Sequence, residues 1–185
     1  MPSSLFRSRP LRRIATPLVA VAIVTGVVAG TALPAAASGS YNGNAYISGS
    51  GKADDDFNDE GVLNKSTNSV SNATCLWQNI LYADSELDFT GIDGSFGPGT
   101  YDATFGWQVT HGLDADGSAG KLTFTKLGSL ISWLTHDDGT AAGTYYGHRY
   151  NVNLSRAANG RWSFQNRVDG KWYSASYNTR TCPVP

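Results

Sequence analysis

The chain has 185 residues, of which 41% are hydrophobic and 16% are charged, and this is typical of one domain or of a small domain with an appendage. Its formal net charge is −1, but residues 1–37 hold four of the 14 basic residues and none of the 15 acidic ones, so the remainder carries about −5. A negative net charge disfavours binding to a phosphate backbone, and we therefore expect no nucleic-acid partner.

Residues 1–37 have the pattern of a secretory signal peptide. A basic stretch at 7–13 precedes an apolar run at 14–33, and small residues before Ser38 suit cleavage at that position. A retained membrane anchor is the alternative interpretation, because about 20 apolar residues can span a bilayer. We predict a secreted, extracellular protein that has no membrane partner once the signal peptide is removed.

Residues 38–73 are dominated by Ser, Gly, Asn and Asp, with a few isolated apolar side chains. Such a segment offers little apolar surface to offset the entropy lost on ordering, so we predict a flexible tether. Its acidic run at 54–60 lacks the spacing and the glycine of an EF-hand loop, which favours a solvated acidic patch over a cation site.

Cys75 and Cys182 are the two cysteines of the chain. In an exported protein an even number of cysteines favours a disulfide, which here would join the start of the folded region to its last residues. Closing a loop of about 100 residues would contribute about 4 to 5 kcal/mol in the chain-entropy model. A catalytic thiol and an intermolecular bridge are the alternatives, and we expect the intramolecular disulfide.

The folded region begins with apolar residues within 76–81 at the spacing of a short helix. A repeat follows, because the pattern D-G-S-x-G-x-x-T occurs at 93–100 and again at 116–123. In each copy the aspartate can accept backbone N–H bonds, the first glycine supplies a positive φ, and the second lets the chain reverse before a helix. These turn-forming residues are Asp93, Gly94, Gly97, Asp116, Gly117 and Gly120. We predict helices near 98–110 and 122–131.

The repeat and its surroundings resemble the peptidoglycan-binding domain type 1 family. The family pattern is D-G-x-F-G-P-x-T, then Ala, then an aromatic residue with Gln, then G-L, and finally D-G-x-x-G-x-x-T with a closing Leu. It is matched without a gap by Asp93, Gly94, Phe96, Gly97, Pro98, Thr100, Ala103, Trp107, Gln108, Gly112, Leu113, Asp116, Gly117, Gly120, Thr123 and Leu127. The resemblance implies a three-helix, non-catalytic module over residues 74–132 that anchors secreted proteins to the bacterial cell wall.

Three positions depart from this family pattern. Trp107 replaces the usual Phe, Thr104 replaces a buried Val, and Phe105 occupies a helix position that is usually polar and exposed. An exchange of similar volume in the core is tolerable. The apolar Phe105 on the outer face needs a cover.

Residues 133–185 change to a period of two, which is typical of β-strands. The first predicted strand alternates from Tyr146 to Leu154, and Asp169-Gly170 is a strong hairpin signal further on. We predict a three-stranded antiparallel meander from about 144 to 177 that packs on the helices and covers Phe105. The predicted fold is α+β: a small three-helix peptidoglycan-binding-like module followed by this three-stranded meander, linked by the disulfide.

The resemblance implies a shallow groove beside the two D-G-S loops. We predict that it is lined by Phe96, Tyr101, Gln108 and His111, and that backbone N–H groups of the loops hold a stem-peptide carboxylate.

The aromatic residues of the β tail are more numerous than a thin sheet can bury on one face. We therefore predict a second binding surface there, in which rings stack on sugars and an arginine holds carboxylates. Its residues are Arg149, Trp172 and Tyr173, and Arg167 is an alternative to Arg149.

No catalytic motif is recognisable. His111, His136 and His148 lack the spacing of a zinc site, and no nucleophile, phosphate or dinucleotide motif is present. We predict a secreted, monomeric, non-catalytic peptidoglycan-binding protein that takes no cofactor or metal. Two alternatives stay open: a small cell-wall hydrolase or amidase that uses the His136/His148 region, and a secreted protein-interaction or inhibitor module.

Overall fold

A computed structural model describes residues 43–185, so the signal peptide predicted for residues 1–37 lies outside the described part of the chain. Three helices come first, and they are α1 (Asn72–Ala83), α2 (Pro98–Thr110) and α3 (Lys121–Leu130), with a single 3-10 turn at Phe89–Gly91. Five strands follow, and they are β1 (Ile131–Thr135), β2 (Ala141–Tyr146), β3 (Asn151–Arg156), β4 (Trp162–Gln165) and β5 (Trp172–Ser174).

The helices begin at local capping groups. The Ser71 side chain accepts a hydrogen bond from the Thr74 backbone N–H at 3.0 Å and caps α1. Pro98 lies in the first turn of α2, where its missing N–H costs nothing. The cap residues of α2 and α3 are the extended glycines Gly97 and Gly120, each following a D-G-S turn. The two helices predicted after the repeats are therefore present.

The five strands form one antiparallel sheet in sequential order from β1 to β5. The mixed α+β class fits this structure, but the predicted three-stranded meander is wrong. The alternation from Tyr146 to Leu154 belongs to two strands, because the loop 147–150 separates β2 from β3. The buried face also shifts by one residue, because Tyr145 and not Tyr146 pairs with Val152, and Tyr146 is exposed whereas Val152 is buried. The sequence pattern alone does not reveal this reversal.

The edge strand β1 was also outside the prediction. Its pairing with β2 places Trp133 opposite Gly143, and a Cβ atom at Gly143 would lie 2.4 Å from the Trp133 ring. The indole covers the glycine, so a large side chain on one strand fits against a residue without a side chain on the other. Neither strand shows the apolar alternation by which strands are recognised in a sequence.

The predicted disulfide is wrong, because Cys75 and Cys182 are both free and buried. They are close neighbours, and the hydrogen bond to Cys182 together with burial raises the pKa of the Cys75 thiol. Asn72 joins the carboxyl-terminal residues to α1 instead. Its side-chain oxygen accepts hydrogen bonds from the backbone N–H groups of Thr181 and Cys182, at 2.8 and 3.1 Å.

The N-terminal segment, defined here as residues 43–70, packs against the rest of the protein, contrary to the predicted tether. Ile47, Phe57 and Leu63 are fully buried. The Ile47 backbone N–H donates to Ala175 O at 2.9 Å, and its carbonyl accepts from the Trp162 N–H at 3.0 Å. These buried apolar side chains, with Ala53, compensate for the polar composition of the segment.

The core lies between the three helices and the inner face of the sheet, and the N-terminal segment contributes to it. Trp77 and Trp107 meet edge to face, with ring centroids 5.0 Å apart, and both are fully buried. Phe105 stays 44% exposed, so the sheet does not provide the cover that we expected for it. Within residues 43–185, no helix has both the length and the apolar character that a membrane crossing requires.

Candidate functional site

The first D-G-S loop is built around a buried glutamine from α1. The Gln78 amide donates to three acceptors at 2.9 to 3.0 Å, namely Asp93 Oδ1, Ser95 O and Thr100 Oγ1. Its side-chain oxygen accepts the backbone N–H groups of Asp93 and Gly94, at 3.0 and 2.6 Å. Gly94 has a φ of +70°, so a glycine suits this turn.

The second D-G-S loop repeats this arrangement around Gln108 from α2. The Gln108 amide donates at 3.0 Å to Asp116 Oδ1, Ser118 O and Thr123 Oγ1. Its side-chain oxygen accepts from the N–H groups of Asp116 and Gly117, at 3.1 and 2.9 Å. The internal repeat of the sequence is therefore a repeat of hydrogen-bond geometry.

This geometry occupies the groups that we predicted for ligand binding beside the loops. Gln108 is only 2% exposed, and both its amide and its oxygen are used within the loop. The backbone N–H groups of Gly94 and Gly117 already point at glutamine oxygens. Phe96 is also buried, at 3% exposure. These residues form the framework of the loops, and Gln78, which was not among the predicted site residues, belongs with them.

Tyr101 and His111 lie nearer the surface and are not brought together in one groove. The Tyr101 ring lies under the Lys65 ammonium at 4.0 Å and beside Gly117 of the second loop. His111, at the end of α2, stacks on Trp107 with ring centroids 3.9 Å apart. Its Nδ1 lies 2.8 Å from Trp107 O, and since a carbonyl only accepts, Nδ1 carries the proton.

His111 lines a cleft between the helices and the sheet, which we call the junction cleft. Its volume is about 300 Å³. The lining residues are Asp84, Glu86, Thr110, His111, Leu130, Tyr145, Tyr146 and His148. Asp84 Oδ2 accepts the Trp107 indole N–H at 2.9 Å and also the Tyr145 hydroxyl, and burial and this carboxylate raise the pKa of Tyr145. The carboxylates at 84 and 86 give the cleft an acidic wall.

A second recess lies on the other side of the loop 147–150, and we call it the loop groove. Its volume is about 570 Å³. The lining residues are Gly147, His148, Arg149, Tyr150, Asn151, Asn153 and Gln165. His148 therefore lines both recesses. The Arg149 backbone N–H donates to Ala83 O at 2.8 Å, which fixes the loop against the end of α1.

Two exposed arginines beside the loop groove are held by aromatic rings. The Arg149 guanidinium lies 5.2 Å from the Tyr82 ring centre, and that of Arg167 lies 5.1 Å from Tyr150 and 5.9 Å from Phe89. The described residues form two ion pairs, Arg156 with Asp56 and Lys171 with Asp169, and neither includes these arginines. Stacking restricts a guanidinium and leaves its N–H fork available to a carboxylate.

The floor of the loop groove continues across the outer face of the sheet. Asn153 Nδ2 donates to Gln165 Oε1 at 3.1 Å, and Gln165 Nε2 donates to Gly170 O at 3.0 Å. Trp172 pairs with Gln165 across the strands and is 50% exposed, so its indole lies beside this row of amides. Tyr173 belongs to the opposite face, where its ring contacts Phe164 at a centroid distance of 6.3 Å. Trp172 therefore lies on the outer face beside Gln165, Tyr173 lies on the opposite face, and the guanidinium of Arg149 lies over Tyr82 of α1.

The structure separates the two histidines of the hydrolase alternative. His136 lies in the β1–β2 turn and His148 in the β2–β3 loop, at opposite ends of the six-residue strand β2. Such a strand spans about 20 Å, which is too far for two side chains to act on one group. Among residues 43–185, no cluster of three or more His, Cys, Asp or Glu side chains is placed to hold a metal ion.

Comparison with known proteins gives no match of any kind: no family model, no curated protein and no solved structure matches this chain.

Proposed function

We propose that this protein is a secreted, monomeric, cell-wall-associated protein that binds peptidoglycan without cleaving it. The observation that carries the proposal is the loop groove with Arg149 and Arg167, two guanidinium groups that are positioned by rings and lack an anionic partner among the described residues. Muramyl groups and stem peptides bring carboxylates that such groups bind. The resemblance of the D-G-S repeat to peptidoglycan-binding domains supports the same ligand.

The outer sheet face supports contact with a sugar chain next to this groove. Trp172 offers an exposed ring, and Asn153 and Gln165 hold each other's amides in one orientation. An aromatic face stacks on sugar C–H groups, and fixed amides provide donors and acceptors for hydroxyl groups at a low cost in side-chain entropy. A binding module is what we infer from these three features: the D-G-S loops as a framework, the cationic loop groove, and the polar outer face of the sheet.

Co-sedimentation of the purified protein with insoluble peptidoglycan tests the proposal, with clearing of a peptidoglycan suspension followed in parallel. We expect the protein to co-sediment without clearing the suspension. Arg149→Gln should lower the apparent affinity about tenfold, because it removes a charge-assisted hydrogen bond. Absence from the pellet would refute the proposal, and clearing would refute its non-catalytic part.

The chain offers a matched control for this arginine. Arg161 is also exposed and also stacks on a tyrosine, with its guanidinium 4.2 Å from the Tyr46 ring centre. It lies at the start of β4, at the opposite end of the sheet from the loop groove. Arg161→Gln should therefore co-sediment like the parent protein. Equal loss in both variants would indicate general electrostatic adhesion instead of a site.

A further inference from the structure

The junction cleft is lined by the carboxylates of Asp84 and Glu86, and His111 and His148 also line it. Asp84 Oδ2 is bonded to the neutral donors of Trp107 and Tyr145, and Glu86 Oε1 accepts the Thr110 hydroxyl at 3.4 Å. Among the residues that the structure describes, no Lys or Arg forms an ion pair with either carboxylate. A partly enclosed cleft with two such groups attracts a cation more strongly than an open surface does.

The loop groove has the opposite character, since Arg149 and Arg167 stand beside it without a carboxylate partner in the described chain. The opposite charges of the two recesses do not neutralise each other. Arg149 belongs to the loop 147–150, and its backbone N–H donates to Ala83 O, next to Asp84, yet its guanidinium lies over the Tyr82 ring. The loop 147–150 therefore keeps a cationic and an anionic recess apart, with His148 lining both.

We propose that the two recesses bind one ligand that carries both a carboxylate and an ammonium group, with the carboxylate at Arg149 and the ammonium at Glu86 and Asp84. This inference rests on the proposed function and identifies the recognised part of peptidoglycan as the stem peptide, whose amino-acid residues carry both groups, while the glycan chain is secondary. Tyr146, which is 67% exposed at the rim of the cleft, offers a ring against the aliphatic part of such a residue.

Calorimetric titration of the full protein with defined soluble fragments tests the inference. The probes are a disaccharide peptide with a free side-chain amine, the same compound with the amine acetylated, the same compound with its carboxylates amidated, and the disaccharide alone. Acetylation and amidation should each weaken binding about tenfold, because each removes one charge-assisted contact. The disaccharide alone should bind more weakly than all three.

Two charge-removing variants assign each group to its recess. Glu86→Gln should weaken binding of the free-amine fragment about tenfold and have no further effect on the acetylated one. Arg149→Gln should weaken binding of the fragment with free carboxylates about tenfold and have no further effect on the amidated one. Asp102→Asn, an exposed carboxylate on α2, and Arg161→Gln are the controls, and neither should change any of the affinities. Thermal unfolding of each variant verifies that it is folded.

The outcomes distinguish a failure of this inference from a failure of the proposed function on which it rests. Equal binding of the disaccharide with and without peptide, or an acetylated fragment that binds like the free amine, would overturn the inference and leave peptidoglycan binding standing. Failure of the parent protein to co-sediment with peptidoglycan would remove both. If Glu86→Gln lost as much affinity for the acetylated fragment as for the free amine, the amine would bind elsewhere. This result would also overturn the assignment.

Discussion

The two D-G-S loops and the N-terminal segment both bury polar side chains, but they satisfy them by different chemistry. Gln78 and Gln108 are neutral, and each makes five hydrogen bonds within one loop. The N-terminal segment instead buries the carboxylates of Asp56 and Glu60. Asp56 pairs with Arg156 at 2.5 Å, and Glu60 accepts the Tyr177 hydroxyl at 2.6 Å.

The range of these contacts also differs. The glutamine contacts join residues 8 to 22 positions apart, whereas Asp56 and Glu60 reach partners 100 and 117 positions away. A neutral amide has no charged form to lose, but a buried carboxylate ties the fold to its own protonation state. The glutamines therefore make local contacts and do not titrate themselves, whereas Asp56 and Glu60 of the N-terminal segment make long-range contacts through titratable groups.

Removing the cation from the buried ion pair should have the largest effect. In Arg156→Met the Asp56 carboxylate stays buried without its positive partner, and we expect a loss of about 4 kcal/mol in the free energy of unfolding. Urea denaturation measures it, and the double variant with Asp56→Leu should recover part of the loss. Arg161→Gln, an exposed arginine, should change stability by less than about 0.5 kcal/mol. A loss below about 1 kcal/mol in Arg156→Met would show that the pair does not anchor the segment.

The two loops should respond alike and somewhat less strongly. Gln78→Leu and Gln108→Leu each leave two backbone N–H groups of a tight turn without an acceptor, so each should cost about 3 kcal/mol. Gln165→Leu, whose side chain is only half-buried on the outer sheet face, should cost less than about 1 kcal/mol. Urea denaturation at one pH compares the three. A large cost at only one of Gln78 and Gln108 would break the equivalence of the loops.

This contrast explains which parts of the fold were predictable. The D-G-S turns and the helices after them are encoded within about ten residues by Asp, Gly and Pro, so their signal is present in the sequence. The tether was predicted from composition, but Ile47, Phe57 and Leu63 gain their packing from distant partners. No local pattern announces that Asp56 will meet Arg156, a residue 100 positions further on.

In the candidate site, too, the residues with a local signal were predictable and those that depend on distant partners were not. Arg149 and Trp172 were recognisable as cationic and aromatic surface residues, and the structure places Arg149 at the loop groove and Trp172 on the outer face of the sheet. Gln108 was misread, because a motif glutamine suggests a ligand group unless its loop partners are known. Asp84 and Glu86 were missed, since they meet Tyr145 and His148 only when the sheet folds back on α1. Their sequence neighbourhood contains no feature that distinguishes them from solvated acids.

The pH dependence of stability should be the smallest effect and should separate the two regions cleanly. Burial, more than the nearby Asp59 and Asp56, raises the pKa of Glu60 from 4.5 to about 8. The folded protein therefore holds a proton that the unfolded chain has released between these values, so the contribution of Glu60 to stability is greatest below about pH 4.5 and falls as pH rises towards 8. Between pH 6 and pH 7 the loss should be at most about 1.4 kcal/mol, the value of one pH unit for one proton. Glu60→Gln should flatten this slope.

Asp138→Asn is the matched control for Glu60, because hydrogen bonds from Thr140 hold the pKa of that exposed carboxyl below its usual range, and it does not titrate between pH 6 and pH 7. Urea denaturation at half-unit intervals gives the profile of each variant. Gln78→Leu and Gln108→Leu should lower stability by the same amount at pH 6 and at pH 7 and keep the slope of the parent protein between these values. A slope that persists in Glu60→Gln would show that the pH-dependent group lies elsewhere, and a slope that changes in Gln78→Leu would show that the loops and the N-terminal segment are energetically coupled.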